Sequence, residues 1–349
     1  MFVINALAQQ LSTQFINQVQ DIIDLKTKPQ GSLGMIEDVA RKVSYIQHTL
    51  SPKLNQPCVV IFAADHGIAD EGVSLFPKAV TEQMVLNFLS GGAAINCFAG
   101  QHQLDLQIVN AGVSCDFNIT NDNFINNPVA KGTNNFLKMD AMNEIQCQQA
   151  LKQGADIVNQ KFSKGCNVIG FGEMGIANTT SAAAIMAALL GLSGEVCAGK
   201  GTGVDAQGVK HKAQVIDQSI EFHQLKNAPV LKILQKVGGF EIVMMVGAML
   251  KAAELSMLVL VDGFICSVAA LAASKINENF LDYTQFCHQS NEQAHQLLLK
   301  SLDVHPLLNL GLRLGEGSGV AIAYPLIVSA VTFFNEMASF ADAGVSESE

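Results

Sequence analysis

The segment Arg313-Leu314-Gly315-Glu316-Gly317-Ser318-Gly319 sets one carboxylate among three glycines, directly before an apolar run. Glycine lets backbone approach a ligand closely and reach positive φ. A carboxylate so placed is either a base at a ligand site or the cap of a helix N-terminus, whose free N–H groups attract anions. A second glycine loop, Gly172-Glu173-Met174-Gly175-Ile176-Ala177-Asn178-Thr179-Thr180-Ser181, joins an apolar run to an alanine-rich one. Its amides and hydroxyls suit a phosphate or a ribose. It is not a P-loop, because no Gly-Lys-Ser/Thr follows, and it is not the GxGxxG of dinucleotide binders. A third loop, Gly199-Lys200-Gly201-Thr202-Gly203-Val204-Asp205, offers Lys200 either to neutralise an anion or as an exposed hairpin lysine.

Other polar groups carry less. Asp65-His66-Gly67 resembles part of a catalytic dyad, but no serine stands in a nucleophile elbow, so Asp65 is expected to cap or order its loop. Asp262-Gly263, at a strand end, is open to either reading. Met244, Met245 and Met249 are expected in the core. The eight cysteines form no CxxC pair and lie mostly in apolar runs, which fits buried thiols in a reducing cytoplasm. His288 and His295, seven apart, would share a helix face. As a zinc site the pair is incomplete, and no metal or other cofactor is expected.

The elements that must position these loops alternate. Apolar runs at 57–64, 106–112, 166–171 and 258–263, and a candidate near 286, read as strands buried on both faces. Helical stretches lie at 81–88, 92–98, 143–161, 178–190, 229–235, 241–253, 265–275, 291–302 and 320–340. Residues 6–50 also read as helical, with a break at 28–32 and Ser32 as the cap of a helix starting near Leu33. Residues 114–136, rich in Asn and Asp, read as a long loop. Alternation of this kind makes an open parallel sheet with helices on both faces, a Rossmann-type α/β fold. Such sheets bind ligands at the C-terminal ends of their strands, where all three loops would meet.

The chain has 349 residues, 49% of them hydrophobic and only 15% charged, enough for a large core. The expected division is a large α/β domain at 55–290 that carries the active-site loops. A smaller helical domain at 1–54 and 291–349 would add the C-terminal active-site loop. A net charge of −10 excludes nucleic acid as a partner, since phosphate neutralisation needs basic patches. Met1-Phe2-Val3-Ile4 lacks the basic start of a secretory leader. The most apolar stretch, 242–273, is interrupted by Lys251, Glu254 and Asp262, so no membrane span is expected there.

Taken in order, the motifs form a series. They are Lys28-Pro29-Gln30-Gly31-Ser32-Leu33-Gly34, Ala64-Asp65-His66-Gly67, Pro77 with Val80-Thr81 and Gln83-Met84, Gly91-Gly92-Ala93-Ala94-Ile95-Asn96, and the three loops above. The series closely resembles the nicotinate-nucleotide–dimethylbenzimidazole phosphoribosyltransferase family, over roughly residues 20 to 345. The resemblance implies transfer of 5-phosphoribose from nicotinate mononucleotide to 5,6-dimethylbenzimidazole, in the lower-ligand branch of cobalamin synthesis, by a cytoplasmic homodimer. It implies Glu316 as the base. Glu173, Gly175, Asn178, Thr179, Thr180, Lys200, Gly201, Thr202, Gly203, Ser290 and Asn291 would hold the nucleotide, and Phe76, Gln83, Met84, Met174 and Leu314 the benzimidazole. Two positions depart from the family's pattern: Ala177 stands where glycine is usual, and Asn110 where aspartate is frequent. An oxidoreductase is the runner-up, disfavoured by the missing GxGxxG. A non-catalytic nucleotide carrier is a third reading.

Overall fold

Apolar runs become strands here because both faces of the sheet are covered. β1 (Cys58–Ala64), β5 (Leu258–Asp262) and β6 (Thr284–His288) are buried at every position. With β2 (Asp105–Gly112), β3 (Phe124–Asn126) and β4 (Val168–Met174) they form one sheet, ordered β3-β2-β1-β4-β5-β6. Every neighbouring pair is parallel. The expected Rossmann-type sheet is therefore present. The strand order reverses direction between β1 and β4, which opens a crevice beyond their C-terminal ends. The structure is a computed structural model and describes residues 5, 7, 11–201 and 203–346. The expectations for Met1-Phe2-Val3-Ile4 and for Thr202 lie outside these residues.

The helices run in chain order as follows. α1 (Thr13–Asp24) and α2 (Met35–Gln47) precede the sheet. α3 (Ala79–Leu89) and α4 (Ala94–Gln101) join β1 to β2, and α5 (Glu144–Ser163) joins β3 to β4. Between β4 and β5 come α6 (Asn178–Leu190), the short α7 (Gly194–Cys197), α8 (Ala206–Phe222), α9 (Val230–Val237) and α10 (Phe240–Glu254). α11 (Gly263–Ile276) leads to β6, and α12 (Gln293–Ser301), α13 (Ser318–Glu336) and α14 (Phe340–Ala343) close the chain. Met244, Met245 and Met249 are core residues of α10, as expected.

Several expectations need correction. The loop at 114–136 contains β3, an edge strand whose three residues are too few to show a period. Asn110 ties it on, donating from Nδ2 to Asn126 Oδ1 at 2.8 Å. α8 has no counterpart among the expected helices, although Asp205 caps it, accepting from Gly208 N–H at 2.8 Å. Ser32 does not cap α2: Gly34, at φ 51°, stands at its N-cap. Lys28 instead pairs with Glu37 at 2.8 Å, both buried, so this motif holds α2 in place. His288 ends β6 while His295 sits on α12, so they share no helix face. Ser290 N–H donates to His295 Nδ1, and Ser267 Oγ lies 2.9 Å from its Nε2. All eight cysteines are free; six are buried, but Cys97 is exposed and Cys115 half-buried.

α13 is long and apolar enough to cross a membrane by length and composition. Here more than half of it is buried, against α2, α4 and strands β4 to β6. The two ends of the chain also touch: Lys26 Nζ donates to Met337 O at 2.6 Å, and Asn335 Nδ2 to Pro52 O at 2.8 Å.

Candidate active site

A cavity of about 300 Å³ opens beyond the C-terminal ends of β4, β5 and β6. Its floor is the end of β4, and its wall is the loop from Leu312 to Gly319. The two can meet only because both carry glycine. A Cβ on Gly172 would stand 2.5 Å from the Glu316 carbonyl, and one on Gly315 would stand 2.6 Å from Glu173 Oε1. Gly315, Glu316 and Gly317 have φ of 85°, 64° and 79° in succession. For Glu316 that left-handed backbone costs about 1–2 kcal/mol, a strain tolerated where a side chain must be aimed.

Glu316 is 7% exposed. One side of its carboxyl receives the Ile95 N–H, from the first turn of α4. Its Oε2 has no partner among the described residues and faces the cavity region. Burial raises this carboxyl above its ordinary value, and the Ile95 amide opposes the rise. Glu316 does not cap the following α13, whose N-cap is Gly317; one oxygen takes an amide of α4 and the other is unpartnered among the described residues.

Glu173 is fully enclosed, and burial first of all pushes it up to about 8; Glu241, Asp262 and Glu316 add repulsion, against a hydrogen bond from Asn178. Burial therefore keeps the carboxyl mostly neutral at pH 7. Asp262 accepts from Gly319 N–H at 2.9 Å with Oδ2, holding the start of α13, and its Oδ1 lies 3.3 Å from His288 Nδ1. Asp65 accepts from Ser114 N–H at 2.8 Å, so it orders the β1 and β2 loops as expected. Among the described residues no group of three or more His, Cys, Asp or Glu could hold a metal ion.

A family model described as phosphoribosyltransferase matches residues 8–345. The chain is 51% identical over 333 residues to the nicotinate-nucleotide–dimethylbenzimidazole phosphoribosyltransferase of Dechloromonas aromatica, covering 95% of each. It is 48% identical over 342 residues to the protein of that name from Vibrio vulnificus, covering 96% of this chain and 99% of that one. The crystal structure of CobT from Thermus thermophilus matches with a TM-score of 0.92 at 37% identity, over 96% of this chain and 100% of that one. The chain belongs to this phosphoribosyltransferase family.

In the transferase, ten of the residues singled out by sequence line the cavity: Phe76, Glu173, Met174, Gly175, Asn178, Thr179, Gly201, Ser290, Leu314 and Glu316. Others do not. Gln83 is exposed on α3 and Met84 packs partly against the core. Thr180 is buried in α6. Lys200, Gly203 and Asn291 are exposed outside the lining. Asn110 is likewise away from the cavity, tied to β3. Ala177 stands at the N-cap of α6 with φ 75°, the left-handed geometry that glycine would adopt freely.

Sequence reasoning missed Lys212. It rises from α8, is 1% exposed, and donates from Nζ to Thr179 Oγ1 at 2.9 Å. A Cβ on Gly201 would stand 3.1 Å from the same nitrogen. Lys212 therefore lies under both loops assigned to the phosphate. Burial pushes it down to about 8, and Glu292 opposes the fall. Asp205 followed by apolar residues at 209, 213, 216 and 220 would have marked α8. Lys212, three after Val209 and four before Ile216, falls beside that apolar face, the one signal in the sequence that sets it apart from Lys200.

Proposed function

We propose that this transferase moves the 5-phosphoribosyl group of nicotinate mononucleotide to a ring nitrogen of 5,6-dimethylbenzimidazole, with Glu316 as general base. The reading rests above all on the unpartnered Glu316 oxygen, in a cavity that the apolar side chains of Phe76, Met174 and Leu314 also line. In the step, the bond from the anomeric carbon to the pyridinium nitrogen breaks and its electron pair returns to that ring. Nicotinate leaves with no proton needed. A benzimidazole nitrogen forms the new bond on the opposite face, and the proton of its other ring nitrogen passes to Glu316. The products are nicotinate and α-ribazole 5′-phosphate, a step of the lower-ligand branch of cobalamin synthesis.

The surrounding groups fit that course. Gly175, Asn178, Thr179 and Gly201, with Lys212 beneath, suit a phosphate dianion. Glu173, kept mostly neutral by burial, ionises more readily once the positive pyridinium ring of the nucleotide is seated beside it. Holding both rings in line with the anomeric carbon supplies much of the remaining acceleration. A smaller helical domain at 1–54 and 291–349 is part of this reading, supported by the packing of α2 on α13. So are a cytoplasmic location and a homodimer; exposed Leu75, Phe76 and Leu314 leave the mouth of the cleft apolar.

The test is release of nicotinate from nicotinate mononucleotide by the purified protein, with and without an added base. Release is expected only with a benzimidazole. Benzimidazole itself is expected to react, losing at most about 1–3 kcal/mol per missing apolar group. Adenine reacting as well as dimethylbenzimidazole would refute the apolar pocket. Glu316→Gln is expected to lower turnover roughly 10²–10⁴-fold while nucleotide binding persists; near-normal turnover would remove Glu316 from the role.

A further inference from the structure

Behind the cleft, outside the residues that line it, lies an acid–imidazole pair with no part in the chemistry above. His66 follows β1 and Glu241 opens α10. Their side chains are both 0% exposed, with His66 Nε2 2.7 Å from Glu241 Oε1. A buried ionisable pair is seldom worth its desolvation as a source of stability alone. This one touches the cradle from beneath. A Cβ on Gly175 would stand 3.1 Å from His66 Nε2 and 2.6 Å from Ala64 O, so the Gly175 turn rests on the imidazole. Gly239 makes room on the other side, since a Cβ there would collide with the His66 ring and with Glu241.

We propose that the buried His66–Glu241 pair is a positioning device for this site: it seats the Gly175 turn and sets the charge that Glu173 faces from below. The inference rests on the transferase reading of the cleft. Glu173 is surrounded by Asn178 on α6, Glu241 on α10, Asp262 at the end of β5, Glu316 before α13 and the Cys266 thiol on α11. Of the three carboxylates, Asp262 and Glu316 line the cavity. Glu241 is sealed away from it, hydrogen-bonded to His66. The repulsion that Glu241 exerts on Glu173 therefore comes from a side chain outside the cavity lining. It reaches Glu173 through a close-packed interior, where a unit charge is weakly screened.

The test is the pH dependence of kcat/KM for nicotinate mononucleotide, followed by nicotinate release at saturating dimethylbenzimidazole. Ionised Glu173 is the form that favours the positive pyridinium ring of the nucleotide, so in a Lys212→Gln background, which removes the opposing titration of that lysine, the rate should climb with pH through a limb near 8. Glu241→Gln keeps the shape and removes the charge; the limb should move down on the order of one pH unit. His66→Gln keeps a hydrogen-bond donor and removes the ring on which the Gly175 turn rests; KM for the nucleotide should rise several-fold. An unmoved limb in folded Glu241→Gln, or an unchanged KM in folded His66→Gln, overturns the proposal, whatever the loss of rate. Glu241→Asp keeps the charge and shortens its reach, and covers the case in which neither glutamine variant folds. It should leave the limb in place and raise KM, and a displaced limb there is equally fatal. Absence of nicotinate release by the wild-type protein would instead count against the functional reading.

Discussion

Lys212 and Lys200 separate two ways in which a lysine can serve an anion. Lys200 is exposed and its charge is screened by water. Lys212 is sealed under Thr179 and Gly201, where its ammonium is already partly destabilised by burial. A phosphate arriving above it restores the lost solvation as a charge-assisted hydrogen bond. Lys212→Gln is therefore expected to raise KM for the nucleotide roughly 10- to 100-fold, the usual worth of a hydrogen bond to a charged group. Lys200→Gln should change it less than about twofold. Steady-state kinetics on the two variants tests this, and equal effects would contradict the burial argument.

Among the elements, α6 carries a local conflict. Its N-cap, Ala177, sits at φ 75° and ψ 4° and offers no side-chain hydrogen bond. The turn is dictated by its neighbours: Gly175 rests on His66, and Ile176 N–H donates to Thr81 Oγ1 at 3.1 Å. The chain must then swing through the left-handed region to bring Asn178 and Thr179 to the cavity. Ala177→Gly should relieve the strain and raise stability by about 1 kcal/mol. Denaturant unfolding at constant pH measures it; a loss of stability would mean that the buried methyl group matters more than the backbone.

For the molecule as a whole, the site lowers stability in a pH-dependent way. Glu173 has its ordinary value in the unfolded chain and is pushed up to about 8 in the fold. Between these values the native state keeps a proton that the unfolded state releases. Stability from this group is thus greatest below the ordinary carboxylate range and falls as pH rises toward 8. Glu173→Gln should flatten that slope and leave the unliganded protein more stable at pH 8, on the order of a few kcal/mol, with little difference near pH 4. Unfolding free energies of both proteins at the two pH values decide it. The gain would come with weaker activity, the common exchange at a site built from mutually repelling groups.

Local pattern was sufficient for most of the sheet and for the three loops. Strands buried on both faces are unbroken apolar runs, and close-packed loops need glycine, so β1, β5 and the segment around Glu316 could be read directly from residue types. The ordered motifs likewise carried the family. What local pattern lacked was depth. β3 is set by its backbone pairing with β2, where Asn110 and Asn126 meet across 16 residues, and Lys212 on α8 is covered by a loop 33 residues earlier. His66 and Glu241 are separated by 175 positions, and neither has a neighbour in sequence that hints at the other. Which lysine is desolvated, which glutamate is neutral and which glycine leans on an imidazole follow from distances through the folded interior. Those distances, and the weak screening that gives them force, exist only once the sheet has brought the ends of β1, β4 and β5 to one rim.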